Sequence, residues 1–191
     1  MSNVQRDGID HLMNFIRKSD FYTAPASTRF HSSYKGGLLR HSLNVYKCLE
    51  EKLTSPRWQE VLKSTKFESI ILVSLLHDLC KTFFYETEYK NKKVYSDTGT
   101  KRDAGGRYDW ETVEGYTIND KYPLGHGCKS VIFIQQFMRL DMTEITAIVH
   151  HMGFSEPKED YNSVGKAFEM HPLALALHEA DLEATYLMES E

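Results

Sequence analysis

The chain has 191 residues, of which 41% are hydrophobic and 26% charged, proportions that fit one ordinary globular domain with its own core. Its formal net charge of −4 excludes a global electrostatic pull toward nucleic acid or membrane, so any such partner must be held at a local site. No apolar run approaches the roughly 20 residues of a membrane span; the charged N-terminus "MSNVQRDGIDHLMNFIRKSD" lacks a signal-peptide core, and Cys48, Cys80 and Cys128 form no CxxC pair, so a cytoplasmic chain with reduced thiols is expected.

Residues 4–18 predict an amphipathic helix with Ile9, Leu12, Met13, Phe15 and Ile16 on one face. The Pro-, Ser-, Thr- and Gly-rich "FYTAPASTRFHSSYKGG" reads as a loop. "LLRHSLNVYKCLEEKL" then sets Leu38, His41, Val45, Cys48 and Leu49 at helical spacing. A third helix, roughly 67–81, contains "IILVSLLHDLC", with Ser64 or Thr65 available as its cap. Residues 86–121 alternate Tyr, Val and Trp with charged side chains around Gly-centred turns, which predicts one or two short β-hairpins. Helices follow from about 126 to 139 and from Thr143 to His151. "GFSEPKEDYNSVGKAF" reads as a loop, and a last buried helix starts near Pro172. The expected fold class is all-α: a single-domain helical bundle, residues 1–191, with a small β-hairpin insertion.

The apolar run Ile70 to Leu76 ends in His77-Asp78, which poses an energetic problem. A buried carboxylate costs several kcal/mol unless something pairs with it, and a metal cation is such a partner. Helical neighbours point about 100° apart, so both reach one ion only if it sits off the helix end. Further donors lie within or at the ends of the other predicted helices: His41, His126, His150, His151 and Asp181. Imidazole and carboxylate without thiolate suit Mn, Fe, Co or Ni better than a structural zinc, with Mg also possible.

The segments "GGLLRHS", "LLHDLCKT", "YPLGHGCKSV", "HHMGF" and "HEADLEATYL", in this order, resemble the HD superfamily of metal-dependent phosphohydrolases, especially its stand-alone bacterial and phage members. "FYTAPASTRFHSSYKGGLLRHSLNVY" also resembles the HD domain of YhaM-type exoribonucleases. The similarity runs from about residue 20 to 188 and is weakest over the 86–121 insertion. It implies an HD-domain helical bundle in which His41, His77, Asp78 and Asp181 hold a first divalent ion. In binuclear relatives Asp78 would bridge to a second ion held by His126 and by one or both of His150 and His151. His151 is preferred because it directly precedes Met152-Gly153.

Phosphoryl transfer asks for positioning and charge neutralisation, so cations are expected nearby. Lys81, about one turn beyond Asp78, matches a Lys common in the relatives and is expected to act with Asp78 in catalysis and to touch substrate. Arg29, His31 and Lys35 flank Gly36-Gly37, where close backbone approach would suit a phosphate. Lys129 follows His126. His178, one turn before Asp181, is open between a substrate contact and a core role. Tyr108, Trp110, Tyr116 and Arg107 of the insertion either stack on a base or pack on the domain. The expected function is a phosphohydrolase or phosphodiesterase acting through a metal-activated hydroxide on a nucleotide or a short RNA or DNA. The alternatives are an HD-fold mixed-valence di-iron oxygenase and a non-enzymatic nucleotide-binding protein. The motifs specify neither base, sugar and phosphate number nor oligomeric state.

Overall fold

The computed structural model describes residues 1, 3–29 and 32–189. In chain order the elements are α1 (Ile9–Lys18), α2 (Gly37–Lys52), α3 (Pro56–Val61), α4 (Phe67–Leu76), β1 (Tyr85–Tyr95), β2 (Lys101–Asp103) and β3 (Gly106–Ile118). They continue with α5 (His126–Gln135), α6 (Met142–Val149), α7 (Tyr161–Met170) and α8 (Pro172–Glu183).

Helix α4 carries no polar face, and a helix apolar all round has to be covered on all sides. Its Ile70, Ile71, Leu72, Val73 and Leu76 are all buried, and α2 and α6 pack against it. The last helix, α8, buries Leu173, Ala174, Ala176, Leu177 and Ala180 against α2, α6 and α7. Its small residues let neighbouring backbones approach closely. Lys52 at the end of α2 clasps the two helices, with Nζ 3.0 Å from Glu179 and 2.6 Å from Glu183 of α8. Near the N-terminus, Arg6 reaches across to α4 and α6, donating to Glu68 at 2.8 Å and to both oxygens of the fully buried Glu144 at 2.5 and 2.7 Å. Glu144 also closes a capping box with Asp141 at the start of α6.

The expectation of an all-α chain is overturned: the fold is mixed, helix-rich with a three-stranded antiparallel sheet in the order β1-β3-β2. The 86–121 segment, expected as one or two short hairpins, is a single long one with a short third strand. Its two long strands, of 11 and 13 residues, pair without interruption from Tyr85↔Ile118 to Tyr95↔Tyr108. The turn residues near 96–105 then add the short β2 against the start of β3. The continuous alternation of Tyr, Thr and Val with charge sustains one long register, where turn counting alone left one hairpin or two open.

Several helical boundaries also differ from expectation: α1 begins at Ile9 and not at residue 4, and α5 ends at Gln135 and not near 139. The helix expected over 67–81 stops at Leu76; His77 is its C-cap, Asp78 turns to φ −105°, ψ 19°, and Leu79–Lys81 form a separate 3₁₀ turn. Lys66, and neither Ser64 nor Thr65, is the N-cap, without a side-chain hydrogen bond. The stretch read as a loop before Pro172 contains α7, whose buried Val164 and Ala167 are too few for a strong periodic signal. Beyond α8 the chain widens into a π-helical turn, Ala184–Met188, that packs on α2 and α8.

Candidate metal centre

Six side chains converge where five elements meet: His41 from the middle of α2, His77 and Asp78 from the end of α4, His126 from the first turn of α5, His151 just past α6, and Asp181 from α8. His41, His77, Asp78 and His151 are each no more than 2% exposed. The break after Leu76 explains how His77 and Asp78 act together. Because Asp78 has left helical geometry, its carboxylate turns to the same side as the His77 ring, with His77 Nε2 3.5 Å from Asp78 Oδ2.

Asp78 faces two groups of donors, one with each oxygen. Oδ2 lies 3.7 Å from His41 Nε2 and 2.7 Å from Lys81 Nζ. Oδ1 lies 2.5 Å from His126 Nε2 and 3.7 Å from His151 Nε2. Asp181 completes the first group, its Oδ1 3.1 Å from His41 Nε2, while His77 Nε2 is 3.3 Å from the same His41 nitrogen. Among the described residues, three sets have ligand atoms mutually within 4.8 Å: His41, His77 and Asp181; His77, Asp78 and His151; and Asp78, Cys80 and His126.

The outer hydrogen bonds settle which ring nitrogens face the cluster. His77 Nδ1–H donates to the Ser74 carbonyl at 2.9 Å, and His151 Nδ1–H to the Ile148 carbonyl at 2.7 Å. A carbonyl only accepts, so both rings must carry the proton on Nδ1 and turn Nε2 inward. Burial pushes both imidazoles down, His151 to about 3, which keeps those lone pairs unprotonated. His41 Nδ1 meets the Glu189 carboxylate at 3.2 Å, an arrangement that fixes a metal-ligating ring and raises its basicity. Burial opposes charge on His41 and His126, yet the carboxylates around them prevail. Asp181 and Glu189 raise His41 to about 9, and Asp78 raises His126 to about 10. Burial likewise disfavours the Asp78 anion, but Lys81, His77 and His126 hold its carboxyl well below the ordinary range. Asp181 is lowered too, against burial, chiefly by His41.

This donor set fits divalent transition ions. Imidazole nitrogens and ionised carboxylates point at common space, with His77 and His151 already neutral. His41 and His126, held protonated by the carboxylates beside them, would give up that proton to an incoming ion. Above them opens a pocket of about 920 Å³ whose wall includes Lys81, Tyr85, His178 and, on its rim, the exposed Arg29. That volume lies at the upper end of the range of small-molecule sites.

The other expected residues are placed differently. His150 is the C-cap of α6, belongs to none of the three donor sets and does not line the pocket, whereas His151 belongs to one set and lines it. Lys129 is turned away: Nζ pairs with Asp120 at 2.7 Å and lies 5.0 Å over the Phe84 ring, lining a separate cavity. Lys35 is exposed and is not among the pocket walls. His31 lies outside the described residues. His178 lines the pocket, its Nδ1–H donating to the His151 carbonyl at 2.7 Å and its ring stacked on Phe168. A Cβ on Gly153 would fall 2.4 Å from His178 Cε1, and Gly153 has φ +56°, so this glycine makes room for the ring.

Gly36-Gly37 does not form a phosphate cradle. The amides of Gly36, Gly37 and Leu38 donate to the carbonyls of Thr23, Tyr34 and Ala24 at 2.9–3.0 Å. A Cβ on Gly37 would meet the Ser32 carbonyl oxygen at 1.9 Å, so the glycine serves close packing of the preceding loop. Two contributors escaped sequence reasoning. Glu189 carries no motif and lies far from His41 in the chain. Cys80 sits two residues beyond Asp78, and its Sγ is 3.3 Å from His126 Nδ1, a pairing that only the fold creates.

No family model, no curated protein and no solved structure matches the chain. Among the described residues, no helix is long and apolar enough to cross a membrane.

Proposed function

We propose that the chain is a cytoplasmic metal-dependent phosphohydrolase or phosphodiesterase of the HD type, acting on a nucleotide or a short oligonucleotide. The observation that carries this reading is the division of the Asp78 carboxylate, one oxygen toward His41 and Lys81, the other toward His126 and His151. A bridging carboxylate between two histidine-rich donor sets is the ligand arrangement a two-ion site requires. His41, His77, Asp78 and Asp181 would hold one ion; Asp78, His126 and His151 would hold the other. Such ions, when bound, lower the pKa of a coordinated water and neutralise phosphoryl charge. The order of the sequence motifs supports the same assignment.

The protein's own groups then have distinct tasks. Lys81 lies in contact with Asp78 and on the pocket wall, where it neutralises the carboxylate and offers a donor to a phosphoryl oxygen. Arg29 on the rim supplies a second cation for the outer phosphate or the backbone of an oligonucleotide. His178, held by the His151 carbonyl and Phe168, borders the same space and fixes the position of the His151 backbone. Tyr85, at the base of the sheet, anchors the opposite wall through a 3.1 Å hydrogen bond from its hydroxyl to the Ala26 carbonyl. Stacking of a base on that wall would favour nucleotides over simple phosphate esters.

The test is purified protein with Mn²⁺ against nucleoside triphosphates, deoxynucleoside triphosphates, cyclic nucleotides and short RNA and DNA, beside Asp78→Asn as control. Phosphate or nucleotide release that Asp78→Asn abolishes supports the reading. Metal-loaded protein that turns over nothing in the panel, or that consumes oxygen when iron is bound, overturns it.

A further inference from the structure

The sheet leaves a long edge open. In the order β1-β3-β2, β1 is an outer strand over all 11 of its residues. Such an edge presents a row of backbone donors and acceptors on which another strand can form, and lysines commonly guard it by repelling a like edge. Here the lysines do not stand alone. On one face of β1, opposite Thr117, Gly115, Val113 and Glu111 of β3, come Glu86, Glu88, Lys90 and Lys92 in turn. Acid precedes Tyr89 and base follows it.

That pattern is its own complement when the strand is turned end for end. We propose that two copies of this chain pair edge to edge through β1, antiparallel, about a two-fold axis perpendicular to the sheet through Tyr89. Glu88 then faces Lys90 of the second copy, Glu86 faces Lys92, and both pairs recur by symmetry. On the other face Tyr89 meets its own counterpart, Thr87 meets Asn91, and Lys93 meets the ring of Tyr85. The axis has to pass through a residue for like faces to coincide, because side chains alternate strictly along a strand. Moving it to Glu88 or to Lys90 places that charge directly against itself, and like charges opposite one another destabilise. The charge pattern therefore selects both the partner and the register. An unrelated strand has no reason to match it, whereas an isologous contact needs only one self-complementary patch.

The charges concerned are accessible. Glu86, Lys90 and Lys92 are exposed, and the Glu88 carboxylate is one-third exposed. Within one chain Lys90 pairs with Glu88 beside it, and Glu86 accepts from Asn119. Pairing exchanges the first of these for cross-strand contacts of the same kind. It closes the open edge, joins the two sheets into one in the order β2-β3-β1-β1-β3-β2, and carries the tip of each arm past Phe84 of the other copy. None of the donor residues of the metal centre takes part.

Charge reversal tests the register directly. Glu86→Lys with Glu88→Lys makes the strand uniformly basic at these four positions, and Lys90→Glu with Lys92→Glu makes it uniformly acidic. Sedimentation equilibrium over a concentration series should show a wild-type dimer and weaken each double variant's self-association by about tenfold or more. An equimolar mixture of the two variants should recover a dimer containing one of each, identified by mass or by fluorescence transfer between labelled copies. Thermal melts of the separate variants confirm that each remains folded. A wild type that stays monomeric throughout, a double variant that dimerises as tightly as wild type, or a mixture that fails to associate overturns the proposal.

Discussion

Glu189 gives the most direct test of how the candidate metal centre is supported. Its carboxylate takes hydrogen bonds from His41 Nδ1 at 3.2 Å, Asn44 Nδ2 at 2.8 Å and Ser32 Oγ at 2.8 Å. In Glu189→Gln, the amide oxygen at the Oε1 position still accepts from His41 and Asn44. The new NH₂ meets Ser32, whose hydroxyl turns to accept instead of donate. That substitution keeps the hydrogen bonds and removes only the charge. In Glu189→Ala all three donors lose their acceptor and the His41 ring loses its orientation. Losing an outer partner of a metal-ligating histidine typically costs 10–100-fold in metal affinity. Glu189→Gln is expected near the lower end, about tenfold or about 1.4 kcal/mol, and Glu189→Ala near the upper end, about 100-fold or about 2.7 kcal/mol. Competition against a fluorescent chelator for Mn²⁺ measures this without reference to turnover, and a thermal melt of each variant establishes that it is folded. If folded Glu189→Ala binds metal as tightly as wild type, Glu189 does not position His41 as a ligand.

Three further outcomes follow from the packing around the site. Arg6→Met removes the guanidinium from fully buried Glu144 and from Glu68, and a stranded buried charge of this kind costs about 3–5 kcal/mol in urea unfolding; a loss under about 1 kcal/mol would refute the assignment. Burial opposes the Glu144 anion, but Arg6, Ser69 and the Asp141 amide hold its carboxyl below the ordinary value of 4.5. Because the folded pKa is the lower one, this contribution is complete above the ordinary value and disappears as pH falls through the folded value. A stability–pH series below 4.5 should therefore fall more steeply for wild type than for Arg6→Met, and parallel curves would contradict the account. Gly153→Ala puts a methyl 2.4 Å from His178 Cε1 at φ +56°, with an expected loss of about 1–3 kcal/mol and a displaced His178, read by thermal melting and by the ring's NMR signals.

The candidate donors were legible because their chemistry is local and costly. An imidazole and a carboxylate at the end of the apolar run Ile70–Leu76 have no inexpensive explanation, and the remaining donors also sit on stretches otherwise built for burial. The helices with strong apolar periodicity were legible for the same reason. Where burial was sparse, as in α7 with only Val164 and Ala167 buried, the pattern was too weak to separate helix from loop. The 86–121 segment showed its strands through alternation, but alternation does not state how far two strands remain in register. One continuous pairing from Tyr85 to Tyr95 turned an expected all-α chain into a mixed fold.

Sequence by itself determined which residue types were available to hold a metal and the order in which the chain presents them. Tertiary structure alone decided their directions. It broke the helix at His77 so that Asp78 faces two donor sets, turned His151 inward and left His150 out, and spent Lys129 on Asp120. It also brought Glu189 onto His41 and Cys80 onto His126. The reason is physical: burial and charge are written residue by residue, whereas the direction of a lone pair depends on backbone carbonyls and on elements remote in the chain.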